Sequence, residues 1–235
     1  MERLDKILSS TGRWSRREVK ELIRAGRVSV DGRPAAGAEE KLKREECTIR
    51  VDGKPIVCET FTYLMLHKPA GVLSVTEDSR QATVLDLLPE HLQQIGLFPV
   101  GRLDKDTEGL LLLTNDGPLA HRLLSPKWHV DKTYFVRADG PFADDDEEAF
   151  ASGMTLRDGL VCLPAKLERL DDPCEALVTL HEGKYHQIKR MVASRYRQVV
   201  YLKRLTMGPL KLDESLERGQ WRMLTEEERT ALLES

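Results

Sequence analysis

Gly101-Arg102-Leu103-Asp104-Lys105-Asp106-Thr107-Glu108-Gly109-Leu110 is a short polar segment bracketed by glycines and set between two apolar runs. Leu97-Phe98-Pro99-Val100 leads into it, and Leu110-Leu111-Leu112-Leu113 leads out as a strand. A polar loop on such a scaffold presents several carboxylates from a rigid base, which is where reacting groups tend to sit. By residue type alone the loop has three readings. It can be a solvated turn, since Asp is a common turn residue. It can be a hard-cation site built on Asp104 and Asp106, since such ions take oxygen ligands. It can also hold a catalytic carboxylate. The rest of the chain decides among them.

A length of 235 residues allows one or two domains, each with a core of its own. A hydrophobic fraction of 40% with 32% charged residues fits a soluble globular protein. No apolar run approaches the roughly 20 residues needed to span a bilayer. The charged start Met1-Glu2-Arg3-Leu4-Asp5-Lys6 lacks the apolar centre of a secretory signal. A cytoplasmic protein without a membrane partner is expected. Cys47, Cys58, Cys162 and Cys174 form no CxxC pair and have no histidine at zinc-knuckle spacing, so neither a structural metal nor a disulfide framework is expected.

The net charge of −3 excludes a uniformly basic nucleic-acid binder. Its distribution is more telling. Residues 1–33 carry nine basic residues against five acidic ones, a balance of +4, which leaves −7 for the remainder. Part of that is the block Asp144-Asp145-Asp146-Glu147-Glu148. A basic head on an acidic body suggests that the head touches phosphate.

Within the head, Ser15-Arg16-Arg17-Glu18 reads as a capping box that starts a helix. Val19, Leu22 and Ile23 share one face of it, and Gly26 is placed to end it in a left-handed conformation. An earlier short helix carries Leu4, Ile7 and Leu8 and stops near Gly12. Val28-Ser29-Val30 and Thr48-Ile49-Arg50-Val51 read as strands meeting the turns Asp31-Gly32 and Asp52-Gly53. This order resembles the S4 RNA-binding domain over roughly residues 2–58. The resemblance implies that Arg3, Arg16, Arg17, Lys20, Arg24 and Arg27 contact RNA phosphates, positioning the RNA more than reading its sequence.

From residue 60 onward the motifs follow in order. Tyr63-Leu64-Met65-Leu66 reads as a buried strand stopped by His67-Lys68-Pro69-Ala70-Gly71, and Asn115-Asp116-Gly117 reads as a turn. A short helix through Leu119, Ala120, Leu123 and Leu124 follows, then Asp131-Lys132-Thr133-Tyr134-Phe135-Val136. Later come Glu182-Gly183-Lys184-Tyr185-His186-Gln187-Ile188-Lys189-Arg190-Met191 and the closing Gly208-Pro209-Leu210-Lys211-Leu212 and Gly219-Gln220-Trp221-Arg222-Met223. Thr225 is a candidate helix cap with Glu228 completing its box.

The Gly-Arg-Leu-Asp run, the Lys-Pro-x-Gly turn, the Lys-x-Tyr element and the Gln-Ile-Lys-Arg helix together resemble the pseudouridine synthases of the RsuA and RluA superfamily, and most closely its RsuA family. The resemblance implies Asp104 as nucleophile, with Lys189 its basic partner and Arg190 left open as an alternative. It implies Tyr134 against the uracil ring as a candidate for removing the C5 proton. Arg102 would hold the flipped backbone or fill the vacated space, and Lys68, Tyr185, His186, Gln187 and Arg190 would meet the substrate. The target base must leave its helix to reach Asp104.

The reaction the resemblance implies breaks the uridine N1–C1′ bond and joins C1′ to C5. Nothing is oxidised and no group enters, so no cofactor and no metal is needed. The implied substrate is 16S ribosomal RNA or a small-subunit particle, at uridine 516, with the enzyme a monomer. Three alternatives stay open: a 23S RNA synthase, an S4-headed assembly factor without activity, and a metal-dependent RNA hydrolase using Asp104 and Asp106. The expected fold is α+β. A small S4-like head (1–59) precedes a body (60–235) built on a mixed, mainly antiparallel sheet with flanking helices.

Overall fold

The computed structural model describes residues 1–56, 61–125 and 128–235. The expected boundary near residue 59 and Cys58 lie outside them.

The head begins with helix α1 (Leu4–Ser10) and helix α2 (Arg16–Arg24). The Ser15 side chain accepts the Glu18 N–H while the Glu18 carboxylate accepts the Ser15 N–H, closing the capping box. At the other end Gly26, at φ +71°, donates to Ile23 and Arg27 donates to Leu22. This is the Schellman pattern that satisfies the last carbonyls. Strands β1 (Val28–Val30), β2 (Arg33–Pro34), β3 (Ile49–Val51) and β4 (Lys54–Ile56) form an antiparallel sheet ordered β2-β1-β3-β4. Leu4, Ile7, Leu8, Val19, Val28, Val30 and Ile49 close a separate small core between helices and sheet.

The body is organised by one large sheet. Its main strands are β5 (Tyr63–Lys68), β6 (Glu108–Thr114), β7 (Lys132–Ala138), β8 (Lys166–Arg169), β9 (Glu175–Leu180), β10 (Val199–Arg204) and β11 (Trp221–Met223). They are ordered β8-β9-β7-β10-β6-β5-β11, with Phe98–Pro99 added against β6. Every pair is antiparallel except β10 with β6, which run parallel over only two register pairs, Lys203 with Glu108 and Arg204 with Gly109. The sheet is therefore mixed and mainly antiparallel, in an α+β fold.

The leucine run of β6 is explained by layers on both sides of the sheet. Leu111 and Leu113, with Leu64 and Leu66 of β5, face a core that includes Val136, Val178 and Leu202. Leu110 and Leu112, with Tyr63 and Met65, face a second core. A strand buried on both faces carries a continuous apolar run instead of alternation. Helix α3 (Gly117–Leu124) covers the second face through Leu119, Ala120 and Leu123. Helix α4 (Gln187–Ser194) covers the first through Ile188, Met191 and Val192. Helix α5 (Glu226–Glu234) closes the chain, capped by Thr225 with Glu228.

The Asn115-Asp116-Gly117 turn also starts a helix: Asp116 is the N-cap of α3, accepting the Leu119 N–H at 3.0 Å and the Tyr63 hydroxyl at 2.7 Å. Asp favours N-caps as much as turns, and the following Pro118 fits the first helical turn.

Candidate active site

The polar loop that precedes β6 is anchored from behind. Lys68 ends β5 and is fully buried. Its ammonium donates to the carbonyls of Pro69 (3.0 Å), Asp104 (3.1 Å), Lys105 (3.3 Å) and Thr107 (2.9 Å). Three of those four acceptors belong to the loop. Burial pushes this ammonium down to about 8. Ser74 adds a second tie, its hydroxyl donating to the Leu103 carbonyl at 2.9 Å and accepting the Leu103 N–H at 3.1 Å. At the far end Gly109 sits at φ +106°, and a Cβ there would lie 2.2 Å from the Arg204 carbonyl oxygen. Only glycine lets β6 approach β10 that closely. Lys68 was expected to meet the substrate. The structure corrects this: the side chain is shut inside and its protons are taken by the loop backbone.

The front of the loop meets α4. Lys189 Nζ lies 2.9 Å from Asp104 Oδ2 and 2.5 Å from Asp106 Oδ1. Burial alone pulls the Lys189 ammonium down, but the hydrogen bonds to Asp106 and Asp104 outweigh it and leave it above its ordinary value. Asp106 feels the converse. Burial pushes its carboxyl up, while Lys189 and its hydrogen bonds leave it below the usual range. The Asp104 side chain is about a quarter exposed (26%) and that of Asp106 mostly so (73%). Asp104 thus faces the pocket interior, and Asp106 sits at its rim.

That pocket is lined by Arg102, Leu103, Asp104, Thr107, Tyr134, Leu180, His186, Gln187, Ile188, Lys189 and Leu202, among others. Tyr134 comes from β7 with its ring largely buried among the core leucines. Arg102 is exposed, with no hydrogen-bond or ion-pair partner among the described residues. His186 is the residue before α4, at φ +49°, a left-handed conformation uncommon for a residue with a side chain. That turn directs its Nε2 to 3.5 Å from Asp104 Oδ1. The exposed Tyr185 ring stacks on it, centroids 3.9 Å apart.

Two further candidates are differently used than expected. Gln187 lines the pocket, yet it is buried and its amide is engaged within its own turn, accepting the Lys184 N–H and donating to Glu182. Arg190 pairs with Asp158 and donates to the Tyr185 carbonyl, so Lys189, and not Arg190, is the cation on Asp104. Sequence reading also missed Ser74 and the partners of Glu108, a non-catalytic loop residue that is buried and accepts from the Tyr201 hydroxyl at 2.7 Å with Arg218 at 2.8 Å. These partners are tens of residues apart in sequence, and no local pattern marks them. Among the described residues no group of three or more His, Cys, Asp or Glu could hold a metal ion. The ammonium of Lys189 already stands between the two carboxylates.

In the head, the six expected RNA contacts divide in two. Arg3 forks onto Asp5 and also meets Glu39, Arg27 forks onto Asp52, and Arg17 pairs with Glu21. Arg16, Lys20 and Arg24 are exposed on α2 without an ion pair among the described residues. Arg16 and Arg17 line a cleft shared with Lys6, Arg44 and the body residues His91, Gln94 and Asn115. Among the described residues no helix is long and apolar enough to cross a membrane.

Against known proteins, residues 62–194 match the RNA pseudouridylate synthase family and residues 2–46 match the S4 domain. The chain is 49% identical over 229 residues to an uncharacterized RNA pseudouridine synthase of Bacillus subtilis, YtzG, covering 96% of each chain. It is 42% identical over 228 residues to ribosomal small subunit pseudouridine synthase A of Vibrio cholerae, covering 96% of this chain and 97% of that one. A crystal structure of a pseudouridylate synthase superposes with a TM-score of 0.70 at 36% identity, covering 99% of this chain and all of the other.

Proposed function

The chain belongs to the RNA pseudouridylate synthase family, and from that premise we propose that it isomerises one uridine of 16S ribosomal RNA to pseudouridine with Asp104 as the nucleophile. The observation that carries the reading is the Asp104 carboxylate at a pocket wall, braced by Lys189 from a separate helix and faced by Tyr134 from a separate strand. A carboxylate can split the reaction into two easier steps through a covalent intermediate. The N1–C1′ bond breaks, the uracil turns in the pocket, and C1′ joins C5 with loss of the C5 proton. Attack at C1′, attack at C6 and removal of the 2′-proton all start from this same group. Tyr134 would lie against the turning base and take the C5 proton. Arg102, exposed at the pocket wall, would meet the backbone of the flipped nucleotide.

The small-subunit substrate is supported by relatives bearing that name at 40–42% identity over nearly the full chain. Uridine 516 is the proposed position. Residues 1–59 act as the RNA-positioning head, with Arg16, Lys20 and Arg24 its available cations, and residues 60–235 as the catalytic body. Action as a monomer in the cytoplasm is part of the same proposal.

The test is tritium release from 5-tritiated uridine in 16S and 23S ribosomal RNA, free and as particles, with EDTA present. Wild type should release label from 16S alone, and Asp104→Asn should lose at least about a thousandfold in rate. Release from 23S alone would move the substrate to the large subunit. Release by Asp104→Asn at the wild-type rate would remove the nucleophile. No release from any RNA, despite tight binding, would leave an assembly factor.

A further inference from the structure

We propose that Arg204, with Lys132 beside it, forms a buried cationic floor that stabilises the negative charge the uracil ring takes on during isomerisation. The inference rests on the reading of the pocket as a uridine-isomerising site.

Two buried cations stand there without counter-charges. Arg204 ends β10 and is 2% exposed. Its Nε donates to the Leu110 carbonyl at 2.7 Å, while its Nη2 has no hydrogen-bond partner among the described residues. Lys132 opens β7, is 7% exposed, and its Nζ donates to the Val130 carbonyl at 2.8 Å. Neither cation pairs with a carboxylate among the described residues. Burial, with Arg204 adding to it, draws the Lys132 ammonium down to about 8, and Asp131 opposes this from a side chain that is 67% exposed. Burying an unpaired charge is costly. Folds keep such groups mainly where the charge is used.

Register puts both cations beneath the pocket. Lys68, Gly109, Arg204 and Tyr134 lie side by side in one row across β5, β6, β10 and β7. Residues in register share a face of the sheet, and Tyr134 lines the pocket. Arg204 is therefore on the pocket side, next to Tyr134. On its other side Gly109 carries no side chain, which leaves the guanidinium room to reach the Leu110 carbonyl. Lys132 is in register with Leu180, a second pocket residue, and shares the face of Tyr134 by the two-residue period of the strand. Sealed from water, neither cation can grip an RNA phosphate. What they supply to the pocket is a field, and a charge screened from water acts further than an exposed one.

The reaction asks for positive potential at this place. When N1–C1′ breaks, the electron pair stays with the base and spreads over O2 and O4. C1′ is meanwhile bonded to an Asp104 oxygen, or drawn into a glycal as the 2′-proton leaves. When Asp104 adds to C6 instead, the pair of the C5–C6 double bond moves onto O4. In each path the ring becomes anionic before C5 bonds to C1′, and fixed charges aimed at such a species lower the barrier. Lys189 cannot serve this purpose, because its ammonium is held between the carboxylates of Asp104 and Asp106.

The experiment follows single-turnover loss of the target nucleoside from the ribosomal RNA that wild type modifies, made with uridine or with 5-fluorouridine and read by mass spectrometry of nuclease digests. On uridine RNA, Arg204→Met should be slowed about thirtyfold and Arg204→Lys, which keeps the charge, no more than about fivefold. RNA affinity should stay within about twofold in both. Fluorine at C5 stabilises the base anion by itself, so on 5-fluorouridine RNA the Arg204→Met deficit should shrink to about threefold. A floor that matters only for packing would slow both RNAs alike. Should Arg204→Met fail to fold, Lys132→Met carries the same comparison, with about a tenfold deficit on uridine RNA that shrinks on 5-fluorouridine RNA. Equal deficits on the two RNAs would overturn the proposal, as would a wild-type rate in the folded Met variant. If wild type converts neither RNA, the reading of the pocket fails and takes this inference with it; an active wild type with an indifferent Arg204→Met sinks this inference alone.

Discussion

Two lysines approach the Asp104 loop from opposite sides and are used in opposite ways. Behind it, Lys68 is sealed off and speaks only to backbone carbonyls. In front, Lys189 is partly open and speaks only to the carboxylates of Asp104 and Asp106. Burial draws Lys68 down to about 8, whereas Lys189 is left above its ordinary value. The same side chain thus serves once as a rivet for the main chain and once as a counter-charge for two carboxylates. What separates the two is whether water and a flexible carboxylate can reach the ammonium.

Substitutions at the two positions put that contrast at risk, and the largest effect belongs to Lys68→Met. It keeps the volume but strands the Thr107 and Pro69 carbonyls, while those of Asp104 and Lys105 keep the Thr107 and Gly71 N–H donors, at about 1–3 kcal/mol for each group stranded. A total of about 3 kcal/mol is expected, or a fall in Tm of about 6–12 °C for a chain of this size. Activity should fall with it, because Asp104 hangs from the loosened segment. A Tm within about 1 °C of wild type, read by calorimetry, would mean that the loop does not depend on its rivet.

Lys189→Met should do the reverse. A partly exposed ion pair contributes about 0–1 kcal/mol to folding, so Tm should move by no more than a few degrees. Yet kcat should drop about a hundredfold, the usual scale for removing a preorganised charge from a reacting centre. Should Tm fall as far as in Lys68→Met while kcat holds, the two roles are exchanged.

The smallest effect is in pH. Burial holds the Lys68 ammonium at about 8 in the folded chain against 10.5 for a solvated lysine in the unfolded one, so the folded chain binds fewer protons between those values. Its contribution to stability therefore rises with pH across that window and is lowest below pH 8. Lys189, raised by the fold, contributes fully below 10.5 and loses that contribution only as pH climbs through its raised value. Urea midpoints taken from pH 7 to 10 should show wild type drawing further ahead of Lys68→Met. A gap that stays constant would argue against a buried ammonium at position 68.

The parts of this molecule that were legible in advance are those written in short-range patterns. Both capping boxes, at Ser15 and Thr225, stand where the three-residue spacing puts them. The left-handed Gly26 and the two Asp-Gly turns of the head follow from dihedral preferences of single residues. The approach of Lys189 to Asp104 came through resemblance, since 85 positions of chain separate them and no propensity links them. The fate of Lys68 was hidden for a related reason. A Lys-Pro-x-Gly turn reads as exposed, and only the return of the loop over it, 36 to 39 residues later, seals it in. The basic head shows the same limit. Its charge surplus is real, but Arg3 and Arg27 spend theirs on Asp5 and Asp52, and composition cannot tell a paired cation from an available one.

The brief parallel contact between β10 and β6 has a mechanical meaning. It joins two leaves of sheet over two residue pairs, where neighbouring strands share up to six. Asp104 rides on the leaf of β6, and Lys189 belongs to the helix entered from β9 on the other. Their ion pair is thus a clasp across this two-pair join, and its length is a gauge of how the leaves lie. A force that opens the join, such as a nucleotide wedged into the pocket, would be felt first as a change in the charge surrounding Asp104.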